Sequence, residues 1–332
     1  MTLISSNIQT EKASNDYSLT PYTESLLAPW ENMVAASLTG TFLHTRKFLS
    51  YHGNKFNDQS ILIYDTNNIL RAVFPAAQDP SDKSVVISHP GITYGGLLHD
   101  GWLYGQRAID ALTQIIEYYA SAGFKEMIYK AMPAMYHRSP AQDDIYALFK
   151  LKAERYRVDL STTIDITKRL PPSDRRNRSL KKAIKGNLTI SEDFNMIDSY
   201  WQILANNLKD KHEKTPVHSL PELYTLKERF PDHIELITVF DQKELLAGSL
   251  LFYCPTLVHA QYFASTARGR EMGALDMVIE HSIEKTKKAG KRYYDFGIST
   301  DKQGSYLNNT LYTYKSEFGA CGSAYEFYKI KL

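Results

Sequence analysis

One succession of patterns occurs twice in this chain, in the same order and at similar spacing. In the first half two apolar, β-branched runs, Ser60–Tyr64 and Leu70–Ala76, flank the polar turn Asp65-Thr66-Asn67-Asn68, as the arms of a hairpin do. A strand at Val85–Ser88 opens into the glycine-bearing stretch from His89 to Gly96. A helix spans Tyr104–Ala122, Gly123 stops it, and Lys125–Tyr129 reads as a further strand. The second half repeats the series. Ile234–Phe240 and Glu244–Tyr253 form a hairpin around Asp241-Gln242-Lys243, and Leu257–Ser265 is a strand. A loop with Gly269 and Gly273 follows, then a helix at Met272–Lys288, the stop Ala289-Gly290 and a strand at Arg292–Phe296. A repeat this long implies two copies of one α/β domain with mixed sheets. At 332 residues the chain is also too long for one ordinary core.

Between the copies, Ser139–Leu151 has helical spacing and Asp159–Ile166 reads as a strand. Lys168-Arg169-Leu170-Pro171-Pro172 then breaks the pattern, because the paired prolines cannot continue a helix. The expected division is a polar tail at 1–20, a first domain at 21–167 and a second at 168–321. Asp174–Lys185 opens the second domain as a strongly basic helix carrying Arg175, Arg176, Arg178, Lys181, Lys182 and Lys185. Such a run contacts a tRNA or a nucleotide sugar, or is a solvated helix face.

Bulk properties exclude several classes. A net charge of +2 gives no general polyanion signal. The two cysteines, Cys254 and Cys321, make no disulfide framework, and no Cys/His spacing matches a metal site, so no metal is expected. Met1 to Thr20 lacks an apolar signal-peptide core, and no apolar run reaches the ~18 residues that span a bilayer. The expected location is the cytoplasm. Nucleophile-elbow, Walker and His-Glu-x-x-His motifs are missing from the sequence.

The chain closes on Tyr293-Tyr294-Asp295-Phe296-Gly297, a loop, and Tyr314-Lys315-Ser316-Glu317-Phe318-Gly319. A strand, a short helix carrying a lysine and a glycine stop would bring Tyr312, Lys315 and Ser316 together, since residues three and four apart share a helix face. Upstream, Arg270-Glu271-Met272-Gly273-Ala274-Leu275 precedes the second repeat's helix. Glycine there lets a phosphate approach the amides of a helix N-terminus.

In their order along residues 40–332, these motifs and the basic helix resemble the FemAB-like branch of the GNAT acyltransferases, the FemABX and Acetyltransferase-6 type. Arg270 and Gly273 match that family's Arg/Gln-x-x-Gly-x-Gly/Ala pattern, while Leu275 departs from it. The resemblance implies two tandem GNAT-like domains, with a C-terminal strand at 322–332 returning to complete the first. It implies acyl transfer to an amine. The expected donor is an acyl-CoA, and the acceptor an amine on an amino sugar or cell-envelope precursor. Two alternatives stand beside it. One is a FemX-like transfer from aminoacyl-tRNA to a peptidoglycan precursor; the other is a catalytically degenerate pair that serves as a scaffold.

On that resemblance Lys315 stabilises charge in the acyl-transfer intermediate, a role worth most in a dry cleft. Arg268 and Arg270, beside Gly269 and Gly273, hold the phosphates of a donor or of a nucleotide-sugar acceptor, or are exposed loop arginines. His89, Tyr94, Gly95 and Gly96 form an acceptor loop or a plain strand-to-helix turn. Ser299, Tyr306 and Asn308 surround the end of the last strand and are acceptor candidates. Asp295 is a proton acceptor or a structural partner, and Tyr312 a proton donor to the leaving group or a core tyrosine. Tyr136, His137 and His259 show no partner spacing and read as core or surface residues.

Overall fold

A computed structural model describes residues 16–212 and 215–332. Ten strands form one mixed sheet that runs the length of the molecule. From the first-half edge the order is Ala77–Gln78, Val85–Ile87, Glu126–Lys130, Cys321–Lys331, Glu154–Asp165, Tyr293–Ile298, Leu257–Ser265, Glu244–Tyr253, Ile234–Asp241 and Thr189–Ser191. Two neighbour pairs are parallel: Val85–Ile87 with Glu126–Lys130, and Leu257–Ser265 with Tyr293–Ile298. Parallel neighbours need a crossover, which the helices Gln106–Ser121 and Ala274–Lys288 supply. The first-half hairpin, Ile61–Tyr64 with Leu70–Phe74, lies in a separate four-stranded sheet. This α/β architecture is two GNAT-like units in tandem, and the internal repeat is physical.

The repeat extends to the helix ends. Both crossover helices stop at a glycine with positive φ, Gly123 at 90° and Gly290 at 66°. In each, the amide after the glycine donates five residues back, Phe124 to Tyr119 and Lys291 to Thr286, each at 3.1 Å. This satisfies carbonyls that the helix end leaves free.

Each half ends in a long strand, and neither long strand stays with its own half. Cys321–Lys331 pairs with Glu126–Lys130 of the first half, and Glu154–Asp165 pairs with Tyr293–Ile298 of the second. The two also pair with each other along Cys321–Lys329. The C-terminal strand therefore begins at Cys321, one residue before the expected 322, and the strand before the Pro171-Pro172 linker is built into the second half's sheet.

Of the expected tail, residues 1–15 lie outside the described residues, whereas Ser18–Pro21 is an ordered strand paired with Ile61–Tyr64. Its short alternating pattern gave too little apolar signal to read as a strand. Two helices, Ile197–His212 and Leu220–Arg229, cover one face of the second half. Ile197, Tyr200, Leu204, Leu223 and Leu226 bury into the cluster that continues into the first half. Each such side chain contributes roughly 1.5–3 kcal/mol. The opposite face is covered by Ala274–Lys288, through Val278, Ile279 and Ile283, with the basic helix Asp174–Lys185 packed beside it. No helix among the described residues is long and apolar enough to cross a membrane.

Candidate active site

The strands Leu257–Ser265 and Tyr293–Ile298 pair only over three residues, Leu257↔Tyr293 to His259↔Asp295. Beyond His259 they part. The cavity of about 1220 Å³ between them is lined by residues 260–265 on one side and 296–298 on the other. It reaches both faces of the sheet. Leu275, Tyr314 and Phe296 pack with the Ala274–Lys288 layer, while Leu204, Tyr262, Tyr325 and Phe327 belong to the layer shared with the first half.

Gly297 marks the parting. Its φ of 74° accompanies a register break against Glu154–Asp165, and a side chain there would sit 3.3 Å from His259 Cε1. A residue with φ in this region favours glycine. The carbonyls of Gly297 and Ile298 accept hydrogen bonds from Lys315 Nζ at 2.8 and 2.7 Å. Lys315 stands on the helix Asn309–Ser316, is 2% exposed and lines the cavity. Burial lowers its ammonium to about 7, against the opposing pull of the Asp295 charge. An ammonium has three N–H donors, so one remains after the two carbonyls are served.

Beside Gly297 stands His259. Its Nδ1 meets Asp295 Oδ2 at 2.7 Å, and Tyr136 Oη lies 3.3 Å from the same nitrogen. Asp295 is fully buried and accepts from Ser161 Oγ at 2.6 Å, Thr163 Oγ1 at 2.9 Å and Tyr325 Oη at 2.9 Å. Burial works to raise its carboxyl, but His259 and the Ser161 and Thr163 hydroxyls outweigh burial and hold it below the usual carboxylate range. Burial pushes the Tyr136 and Tyr325 phenols well up, so both stay protonated. A carboxylate held this way fixes the Nδ1–H tautomer of His259 and leaves Nε2 as a proton acceptor. His259 lines the cavity, and Asp295 lies behind it as a positioning group. Sequence reading set His259 aside for want of a partner. The partner is its cross-strand neighbour, and the parallel register that joins them has no local signature.

The remaining candidates divide sharply. Arg270 faces the cavity and donates to the Ser265 carbonyl at 2.9 Å, and Asn308 lines the cavity while capping the lysine helix through Leu311 N at 3.0 Å. Arg268 is instead on the surface, ion-paired to Asp241 and Glu244. Gly269 is a packing position, since a side chain there would come within 2.5 Å of Ser265 Oγ. Gly273 joins the helices Ala267–Met272 and Ala274–Lys288, and a side chain there would meet Ser179 Oγ of the basic helix at 2.8 Å. The Gly273 side of the helix N-terminus expected to cradle a phosphate packs on the basic helix, while Leu275 and Asp276 of its first turn line the cavity. Asp276 is bonded to Arg176 at 2.8 Å. Arg176 of the basic run turns inward to Asp276 and Glu317, Arg175 pairs with Glu317 at the surface, and Arg178, Lys181, Lys182 and Lys185 stay exposed.

Tyr312 lies off the cavity, its hydroxyl packed toward Gly322. Ser299 is buried without lining the cavity, and its amide donates to Leu160 O. Tyr306 is half exposed on a two-residue ribbon strand. In the first half His89, Tyr94, Gly95 and Gly96 are buried core, and burial keeps the His89 imidazole well below its usual range. Tyr94 reaches Cys254 Sγ at 3.7 Å, and Gly96 packs on Tyr129. From this loop Pro90 and Thr93 face the cavity instead.

Residues 173–316 match the model of the acetyltransferase (GNAT) domain. The crystal structure of FemX superimposes with a TM-score of 0.69 at 11% identity, covering 95% of this chain and 97% of that one. L-PGS from Bacillus licheniformis gives 0.60 at 10% identity, covering 93% and 92%. The C-terminal domain of a putative lysylphosphatidylglycerol synthetase from Agrobacterium fabrum gives 0.59 at 8% identity, covering 92% and 91%. No curated protein matches the sequence. By that match residues 173–316 are an acetyltransferase (GNAT) domain, and the whole chain has the fold of FemX.

Proposed function

We propose that the protein transfers an acyl group from an acyl-CoA-type donor to an amine, the two substrates meeting between the parted strands from opposite faces of the sheet. One observation carries this reading: His259, oriented by Asp295, and Lys315 flank Gly297 at the point where the strands separate. The donor's extended arm occupies the gap between 260–265 and 296–298, with Arg270 toward its phosphates. The acceptor enters from the side shared with the first half. Its nitrogen attacks the donor carbonyl as His259 Nε2 takes the amine proton, and Asp295 stabilises the imidazolium. Lys315 offers its third N–H to the oxyanion in a water-poor site. As the tetrahedral adduct collapses, the C–S bond breaks and His259 returns the proton to the leaving thiolate. Holding both substrates in one gap supplies much of the remaining rate. The likeness of fold to FemX and to a putative lysylphosphatidylglycerol synthetase supports an acceptor of cell-envelope chemistry.

A second donor is favoured by the acidic first turn of the helix Ala274–Lys288. Asp276 places a carboxylate, paired with Arg176, where a pyrophosphate would dock, whereas an aminoacyl ester of tRNA does not require that cradle. Calorimetry with acetyl-CoA and desulfo-CoA, joined to free-thiol release in the presence of amines, separates the two. Competition by desulfo-CoA with thiol release supports the CoA donor. Amine acylation from charged tRNA without CoA binding moves the assignment to tRNA. Loss of no activity in both Lys315→Met and His259→Ala removes the proposed site.

A further inference from the structure

The first half contributes its own buried lysine to the same cavity. Lys130 ends the strand Glu126–Lys130, is 9% exposed, and its Nζ donates to the carbonyls of His89, at 3.2 Å, and Ile92. As with Lys315, two of three N–H donors are used and the third is left for a ligand. Lys130 differs from its neighbour Arg157 in having no carboxylate paired with it among the described residues. Arg157 beside it is bonded to Asp159 at 2.5 Å, and Asp159 also accepts from Thr300 Oγ1 at 2.9 Å. Lys130, Arg157 and Asp159 all line the cavity. Two cations and one carboxylate therefore face this end of it, and the cation without a carboxylate is the buried one. Burial and the Arg157 charge together push the Lys130 ammonium down to about 7. A buried, uncompensated ammonium is costly, and an anion from a ligand removes that cost.

We infer that the first-half end of the cavity is an anion subsite, in which Lys130 holds a phosphate or carboxylate carried by the amine acceptor. The inference rests on the acyl-transfer reading for the word acceptor, but anion binding at Lys130 is measurable without turnover. The acceptor is then an anionic amine whose charge lies at the first-half end while its nitrogen reaches His259. Chain-like or rigid acceptors with one anionic terminus fit; neutral and polycationic amines do not.

The test uses the full chain and three probes of matched size: phosphoethanolamine, β-alanine and ethanolamine. Each is titrated by calorimetry and offered as an acceptor with the donor identified by the experiment above. Phosphoethanolamine or β-alanine is expected to bind at least ten-fold more tightly than ethanolamine, and whichever binds better names the phosphate or the carboxylate. Lys130→Met should remove that preference, and Lys130→Arg should retain most of it. Because Lys130→Met also frees two carbonyls, a fold-independent readout on the unaltered protein accompanies it. Phosphoethanolamine should protect Lys130, and not the exposed Lys182, from acylation by acetic anhydride as read by mass spectrometry. Equal affinity for all three probes, or unchanged labelling of Lys130 at saturating anion, overturns the anion subsite. Anion protection of Lys130 without any amine acylation leaves the subsite standing and overturns the acyl-transfer reading instead.

Discussion

The two halves contain the same parallel strand pair, and they finish it differently. In the first half the edge beyond Ile128 is taken up by the chain's own loop. Ser88 N donates to Ile128 O, Gly95 N donates to Lys130 O at 2.9 Å, and Ser88 Oγ accepts from Lys130 N at 2.8 Å. Ile92 and Tyr94 fill the gap from within. In the second half no loop enters. The strands diverge after His259, and the carbonyls of Gly297 and Ile298 turn to Lys315. A buried lysine thus terminates both partings, one capping a plug and the other capping an open gap. Both copies keep the frame and the need to satisfy buried carbonyls where the strands part. Only the second copy kept an open gap between its parallel strands.

Breaking the open parting should have the largest effect. His259→Ala is expected to lower kcat by about 10²–10⁴-fold, and Lys315→Met by about 10²–10³-fold, with KM for the donor little changed in steady-state assays. The pH profile follows from the lysine. Its folded-state value of about 7 means that the cation is present below that pH and lost above it, so kcat/KM should fall as pH rises through about 7. Lys315→Arg, always charged, should move that decline to higher pH.

The glycines then sharpen the contrast. Gly297→Ala strains a positive-φ bulge beside His259 and should cut activity by about ten-fold or more through misplacement of the site. Gly95→Ala drives a methyl into the Ser88 carbonyl in the plugged half. It should cost about 1–3 kcal/mol in denaturant midpoint while the folded fraction keeps its turnover number. The smallest effect is expected from Arg268→Ala. Its exposed ion pairs with Asp241 and Glu244 contribute about 1 kcal/mol or less, and donor KM should not move. Arg270→Ala, at the cavity mouth, should raise donor KM about ten-fold.

Much of the frame was legible from local pattern. The helix Asp174–Lys185 and the strands Glu244–Tyr253 and Leu257–Ser265 fall where periodicity and turn residues put them. Lys315 was legible because its helix, its apolar approach strand and its glycine stop are all short-range signals. The acceptor loop misled for a physical reason. Glycines that admit a ligand and glycines that admit a neighbouring backbone look alike in sequence, and Gly95 and Gly96 are the second kind. Arg268 and Arg270 are two residues apart, and only the helix Ala267–Met272 decides that one faces solvent acids and the other the cavity. His259 was missed because its partner is 36 residues away across a parallel register.

Local sequence specifies two strand–helix–strand units, the glycine stops at Gly123 and Gly290, and a lysine on the last helix. These depend on spacing within one or two turns, where sterics and propensity act directly. The tertiary structure decided the exchange of final strands, the closure of one parting and opening of the other, and the meeting of His259 with Asp295. Those depend on which strand edges pair and where pairing stops, a competition among long-range hydrogen bonds and buried side chains that no local window contains.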